Sequence, residues 1–72
     1  MENTLNFEEA LEQIANIFPI IKVLIEQYPE NNELSEIEQL LVEGVGDILK
    51  QNPQIRLSKE EDSILTRYDE LF

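Results

Sequence analysis

Three prolines, Pro19, Pro29 and Pro53, divide this chain into segments in which apolar residues recur every three or four positions. That spacing marks one face of an α-helix, because a helix completes a turn in about 3.6 residues. Proline interrupts a helix, since it lacks the N–H donor and its ring clashes with the preceding turn. The pattern therefore predicts an all-α protein whose helices end or bend near each proline.

Four short helices are predicted, at residues 7–18, 19–28, 33–51 and 59–71. Asn6 and Ser58 precede the first and last of them at the spacing of a capping box, in which a side chain closes the first helical turn. The third helix is expected to start at Asn32 or at Ser35, which has the same spacing to Glu38. Short helices joined by turns predict a compact bundle or an orthogonal array, within one domain spanning residues 1–72.

The apolar stripes of these helices predict the core. The expected inward-facing residues are Phe7, Ala10, Leu11, Ile14, Ile17 and Phe18 in the first helix, Leu34, Ile37, Leu41, Val45 and Ile48 in the third, and Ile64, Leu65, Tyr68, Leu71 and Phe72 in the last. The second helix is apolar over more than half its circumference. Such a helix is expected either at the centre of the bundle or in a subunit interface.

Two glycines, Gly44 and Gly46, fall inside the third predicted helix, where each costs about 1 kcal/mol relative to Ala. One interpretation is close approach of a neighbouring helix or subunit at Gly44. The other is a break, with the helix ending near Glu43. We expect a continuous or locally distorted helix.

The chain contains no Cys and no His. Disulfides and zinc sites built on thiolate or imidazole are therefore excluded, and so are the commonest general base and low-pKa nucleophile of enzymes. The densest acidic groups, Glu8-Glu9-Glu12 and residues 60–62, lack the central Gly and alternating ligands of a calcium loop. We expect a protein that is not an enzyme and holds neither cofactor nor metal.

Sixteen acidic and five basic residues give a net charge of −11. The acidity is concentrated in residues 1–49, which carry −10, whereas residues 50–72 carry −1. Phosphate backbones and anionic membranes would repel such a chain, so the expected partner is a protein with a basic surface. The alternative is that the acidity only keeps a small protein soluble.

The residues at the start of the chain lack the basic start and apolar core of a secretory signal. The longest apolar stretch, residues 17–25, contains Pro19 and Lys22 and is far shorter than the roughly 20 residues of a membrane span. A cytoplasmic location is therefore expected.

One row of residues on the third helix stands out as a candidate binding surface, which we call the acidic ridge: Glu33, Glu36, Leu40, Glu43 and Asp47. Spacings of three and four residues place all five on one side, about 130° from the predicted core stripe. The ridge is interpreted either as a docking surface, with Leu40 as its apolar anchor, or as a solvated acidic face.

These features favour a non-enzymatic acidic protein–protein interaction module. In its sharper form it is an inhibitor that docks on the nucleic-acid-binding surface of another protein, as a DNA mimic does. The alternative is an obligate helical homodimer that serves as a structural or assembly subunit, or a small regulator that neutralises a toxin. The dimer is suggested by the second helix, whose apolar surface a chain of 72 residues would have difficulty burying alone.

Overall fold

A computed structural model describes residues 6–72 and gives them an all-α fold, as predicted. Its helices are α1 (Phe7–Ala15), α2 (Ile17–Gln27), α3 (Asn32–Gln51) and α4 (Lys59–Leu71). Only Asn16 separates α1 from α2, and its backbone dihedrals are helical (φ −66°, ψ −15°). Within residues 6–72 the chain therefore packs as three helical segments, the first of them interrupted, rather than as the four separate helices predicted.

The interruption at Asn16 corrects the predicted boundary at Phe18. A proline withholds its N–H from the carbonyl four residues earlier and presses its ring against it. For Pro19 that carbonyl belongs to Ala15, where α1 ends. Pro19 itself lies in the first turn of α2, where backbone N–H groups have no partner within the helix. The proline therefore breaks the helix four residues before its own position.

Side-chain caps mark the starts of α1, α3 and α4. The Asn31 side chain accepts a hydrogen bond from the Glu33 N–H at 3.0 Å, so α3 begins at Asn32 and Ser35 is not its cap. The Asn6 side chain accepts a hydrogen bond from the Glu9 N–H at 2.8 Å. Ser58 and Glu61 form the complete predicted capping box, with bonds of 3.2 Å from the Glu61 N–H to Ser58 Oγ and 2.8 Å from the Ser58 N–H to Glu61 Oε1. The capping box explains why α4 begins where the sequence predicts.

The core lies between the three helical segments and includes one residue of the α3–α4 connector. Its buried apolar members are Leu11, Ala15, Phe18, Val42, Val45, Leu49, Ile55 and Ile64. Several predicted core residues are instead exposed: Phe7, Ile14, Ile17, Ile37 and Phe72. These five predictions were wrong.

On α3 the buried face is displaced from the predicted stripe. It comprises Glu38, Val42, Val45, Gly46 and Leu49, whereas the predicted residues Leu34, Leu41 and Ile48 are only half-buried. The reason is that α3 contacts both α2 and α4, so its buried face turns partly toward α4. There Arg67 lies 3.9 Å from the Glu38 carboxylate, which gives this nearly buried acid an ionic partner.

The helix α2 does not lie at the centre of the bundle, which was one of the two predicted positions. Phe18 and Ile21 are its buried residues, while Ile20, Val23 and Tyr28 at its C-cap are exposed. The described part of the chain measures 41 × 32 × 17 Å, and its thinnest dimension is about one and a half helix diameters. In such a flat arrangement each helix keeps an outward face.

The helix α3 runs through Gly44 and Gly46 without a break. The close approach is at Gly46, not at Gly44 where one interpretation placed it. A Cβ atom built on Gly46 would lie 2.7 Å from Cγ of the Tyr68 ring, whereas one on Gly44 would meet nothing within 4 Å. Gly46 therefore lets α4 bring Tyr68 against the backbone of α3.

Candidate protein-binding surface

The acidic ridge lies on the outer side of α3. Glu33, Glu36, Leu40, Glu43 and Asp47 are all exposed. Because the buried face is displaced toward α4, the ridge lies almost directly opposite the core, farther from it than the predicted 130°. The structure thus brings the five predicted residues together on one solvent-facing surface.

Three acids of the ridge, Glu33, Glu36 and Glu43, make no ion pair with any other residue in the 6–72 range. Two of the four basic residues in the C-terminal part, Lys50 and Arg67, pair with acids outside the ridge. Lys50 Nζ lies 3.1 Å from Asp69 Oδ1, and Arg67 contacts Glu38 and Glu70. The ridge therefore presents negative charge to solvent without internal compensation.

Asp47 differs from the other acids because it accepts a hydrogen bond from the Tyr68 hydroxyl of α4. This bond raises the pKa of Tyr68 above its usual value of 10.0, and desolvation and the negative charges of Asp47, Glu43 and Asp69 add to the effect. Tyr68 is consequently held as a neutral donor. Asp47, the last acid of the ridge, is thus hydrogen-bonded to α4.

A shallow depression adjoins the centre of the ridge. Leu40 and Phe72 contribute its apolar part, and Glu36, Gln39 and Glu43 complete its lining. Leu40 is 69% exposed and Phe72 is 61% exposed. Phe72 was predicted to face inward, yet its ring packs on Tyr68 with centroids 5.2 Å apart. Phe72 follows Tyr68 by four residues, so the two are neighbours on one helix face. That spacing is the one sequence signal that could have placed Phe72 beside this surface.

A second acidic depression lies between the start of α1 and the connector that precedes α4. Its lining residues are Asn6, Glu8, Glu9, Glu12, Arg56, Leu57, Ser58 and Glu61. Glu61 is only 2% exposed; its Oε1 is held by the capping box, and its Oε2 accepts no hydrogen bond from residues 6–72. In this part of the chain no group of three or more acidic side chains is arranged to hold a metal ion. The capping role of Glu61 accounts for its burial.

Comparison with known proteins found no match for this chain among protein-family models, curated proteins or solved structures. None of the helices described between residues 6 and 72 has both the length and the apolar character needed to cross a membrane. The chemistry of the described surface is therefore the basis for assigning a function.

Proposed function

We propose that this chain is a non-enzymatic interaction module whose acidic ridge docks onto a basic surface of another protein. The observation that carries the proposal is the ridge itself, an uncompensated acidic row around an exposed leucine. In its sharper form the module is an inhibitor that covers a nucleic-acid-binding surface. A cytoplasmic partner would suit this role.

The electrostatics of the ridge support docking over simple solvation. Like charges three or four residues apart on a helix repel by a few tenths of a kcal/mol per pair. Glu33 and Glu36 form one such pair and Glu43 and Asp47 another, and the ridge contains no lysine between them. A basic partner would relieve this repulsion. An apolar centre with a charged rim is also the usual anatomy of a protein interface.

The length of the ridge suits the inhibitor interpretation. Residues 33–47 rise about 21 Å along α3 at 1.5 Å per residue. Six base-pair steps of DNA span about 20 Å at 3.4 Å per step. A protein surface that neutralises a short run of phosphates therefore has the dimensions to accept the ridge.

The proposal is tested by reversing the charge of the ridge and, separately, of a control surface. The ridge triple is Glu33→Lys, Glu36→Lys and Glu43→Lys. The control triple is Glu12→Lys, Glu26→Lys and Glu30→Lys, at exposed positions outside α3. Both triples change the net charge equally, and circular dichroism verifies that each keeps its helices.

A binding protein is first recovered from the native host and purified, and its affinity for each variant is then measured at several salt concentrations. The proposal predicts that the ridge triple weakens binding strongly and that the control triple weakens it little. Binding to the wild-type chain should also fall with added salt, because salt screens exposed charges. Equal affinity of the two triples would refute docking through the ridge.

A second candidate function, assembly as a homodimer, is favoured by the exposed side of α2. Ile17, Ile20, Val23 and Tyr28 are each about half exposed there. On a helical projection they occupy one half of α2, and the two charged residues of this helix, Lys22 and Glu26, lie outside that half. Two copies could therefore pair across α2 without burying a charge.

The strength of such a dimer can be estimated. Burying the exposed half of each of these side chains contributes about 1 kcal/mol, or about 8 kcal/mol for the eight side chains of two copies. Association costs about 4–15 kcal/mol. The dimer is therefore expected to be weak, and it should strengthen with salt, because salt screens the repulsion between two chains of charge −11. Sedimentation of the pure protein tests this, and a monomer at high concentration and high salt would exclude it.

A further inference from the structure

The depression beside the acidic ridge indicates what kind of basic partner the ridge accepts, and this inference rests on the proposed function. Glu36 and Glu43 border the depression, and Leu40 and Phe72 form its apolar part. The two acids are seven residues apart on α3, which is about 10.5 Å along the helix axis. Charge and apolar surface thus alternate over two helical turns.

We infer that the occupant is a basic helix of another protein that presents one large apolar side chain between two Lys or Arg residues seven positions apart. On a helix, residues at positions i, i+4 and i+7 lie on one face, with the outer two about 10.5 Å apart. The apolar side chain meets Leu40 and Phe72, and the basic groups meet Glu36 and Glu43.

An extended segment fits this surface less well than a helix. Residues on one face of a strand are spaced about 6.6 or 13 Å apart, neither of which matches the separation of Glu36 and Glu43. A second copy of this chain is also a poor occupant, because it too carries a net charge of −11 and the surface is already acidic. A helix from a basic protein satisfies both the spacing and the charge.

Synthetic helical peptides test the inference directly. The probe is an alanine-based peptide containing the segment Lys-Ala-Ala-Ala-Leu-Ala-Ala-Lys, and its matched control has Ala in place of the Leu. On the protein, Leu40→Ser and Phe72→Ser each remove one apolar contact. Ile20→Ser is the control variant, since Ile20 is 60% exposed and lies on α2. Affinities are measured by titration followed with nuclear magnetic resonance.

The expected result is roughly a tenfold loss of affinity when the peptide loses its Leu, or when Leu40 or Phe72 is replaced, with no change for Ile20→Ser. Peptide-induced shifts should centre on the ridge. Equal affinity of both peptides, or equal loss with all three Ser variants, would overturn the inference. If the ridge charge-reversal triple still loses binding to the purified partner in that case, docking through the ridge survives and only the helix assignment fails.

Discussion

The two glycines of α3 provide a test of the helix packing, because they share a helix and differ in their surroundings. Replacing Gly44 by Ala adds a methyl group where nothing lies within 4 Å. The substitution should stabilise the protein by about 1 kcal/mol, the difference in helix propensity between the two residues. For a domain of this size that corresponds to a rise of about 4–8 °C in Tm.

Replacing Gly46 by Ala should have the opposite effect. Here too, alanine favours the helix by about 1 kcal/mol relative to glycine. The new methyl group overlaps the Tyr68 ring, however, and overpacking of this kind costs about 1–3 kcal/mol. Displacing the ring also breaks its hydrogen bond to Asp47. The expected net effect is a loss of up to about 2 kcal/mol, out of a total stability of about 4–11 kcal/mol.

A double-mutant cycle assigns this loss to Tyr68. In a Tyr68→Ala background the obstructing ring is gone, so Gly46→Ala should become stabilising while Gly44→Ala keeps its effect. The coupling between positions 46 and 68 should be about 1–3 kcal/mol, above the roughly 0.5 kcal/mol scatter of independent sites. Urea unfolding followed by circular dichroism measures each corner of the cycle. Equal stabilisation by both single Gly→Ala substitutions would show that α4 does not approach α3 at Gly46.

Three further predictions concern the cap, the core and the tyrosine. Ser58→Ala removes a side-chain bond of the α4 capping box and should lower the free energy of unfolding by about 1 kcal/mol in urea titrations; no loss would mean that the cap is not formed. Ile64→Ala should lower it by about 2–5 kcal/mol, because Ile64 is fully buried, and a loss below 1 kcal/mol would contradict its core position. The raised pKa of Tyr68 adds stability that is fully present below pH 10 and is lost as pH rises through the folded-state pKa. Asp47→Asn should move the Tyr68 titration to lower pH in near-ultraviolet absorbance, and an unchanged titration would exclude this bond as the cause.

Local signals in the sequence predicted the helices well. The capping box of Ser58 and Glu61 is formed by residues three positions apart, so α4 could be located without knowing the rest of the fold. The break before α2 was misplaced by a few residues because the effect of Pro19 falls on the carbonyl of Ala15. Its existence was nevertheless evident from the proline.

The choice of buried face could not be made from periodicity alone. On α3 the buried side includes Glu38 and Gly46, which no apolar pattern selects. Their burial depends on Arg67 and Tyr68 of α4, residues more than 20 positions away. The outward direction of the acidic ridge was predictable because acids recur along one side of the helix. The contribution of Phe72 was not, since it depends on where α4 lies.

The bond between Tyr68 and Asp47 also has an optical consequence. The chain contains two tyrosines and no tryptophan, so its intrinsic fluorescence comes from tyrosine. A tyrosine whose hydroxyl donates to a carboxylate is quenched relative to one that faces water. A basic group that pairs with Asp47 would compete for the carboxylate and release the Tyr68 hydroxyl. Docking of a basic partner at the end of the ridge would therefore raise the tyrosine fluorescence, which can be measured without a label.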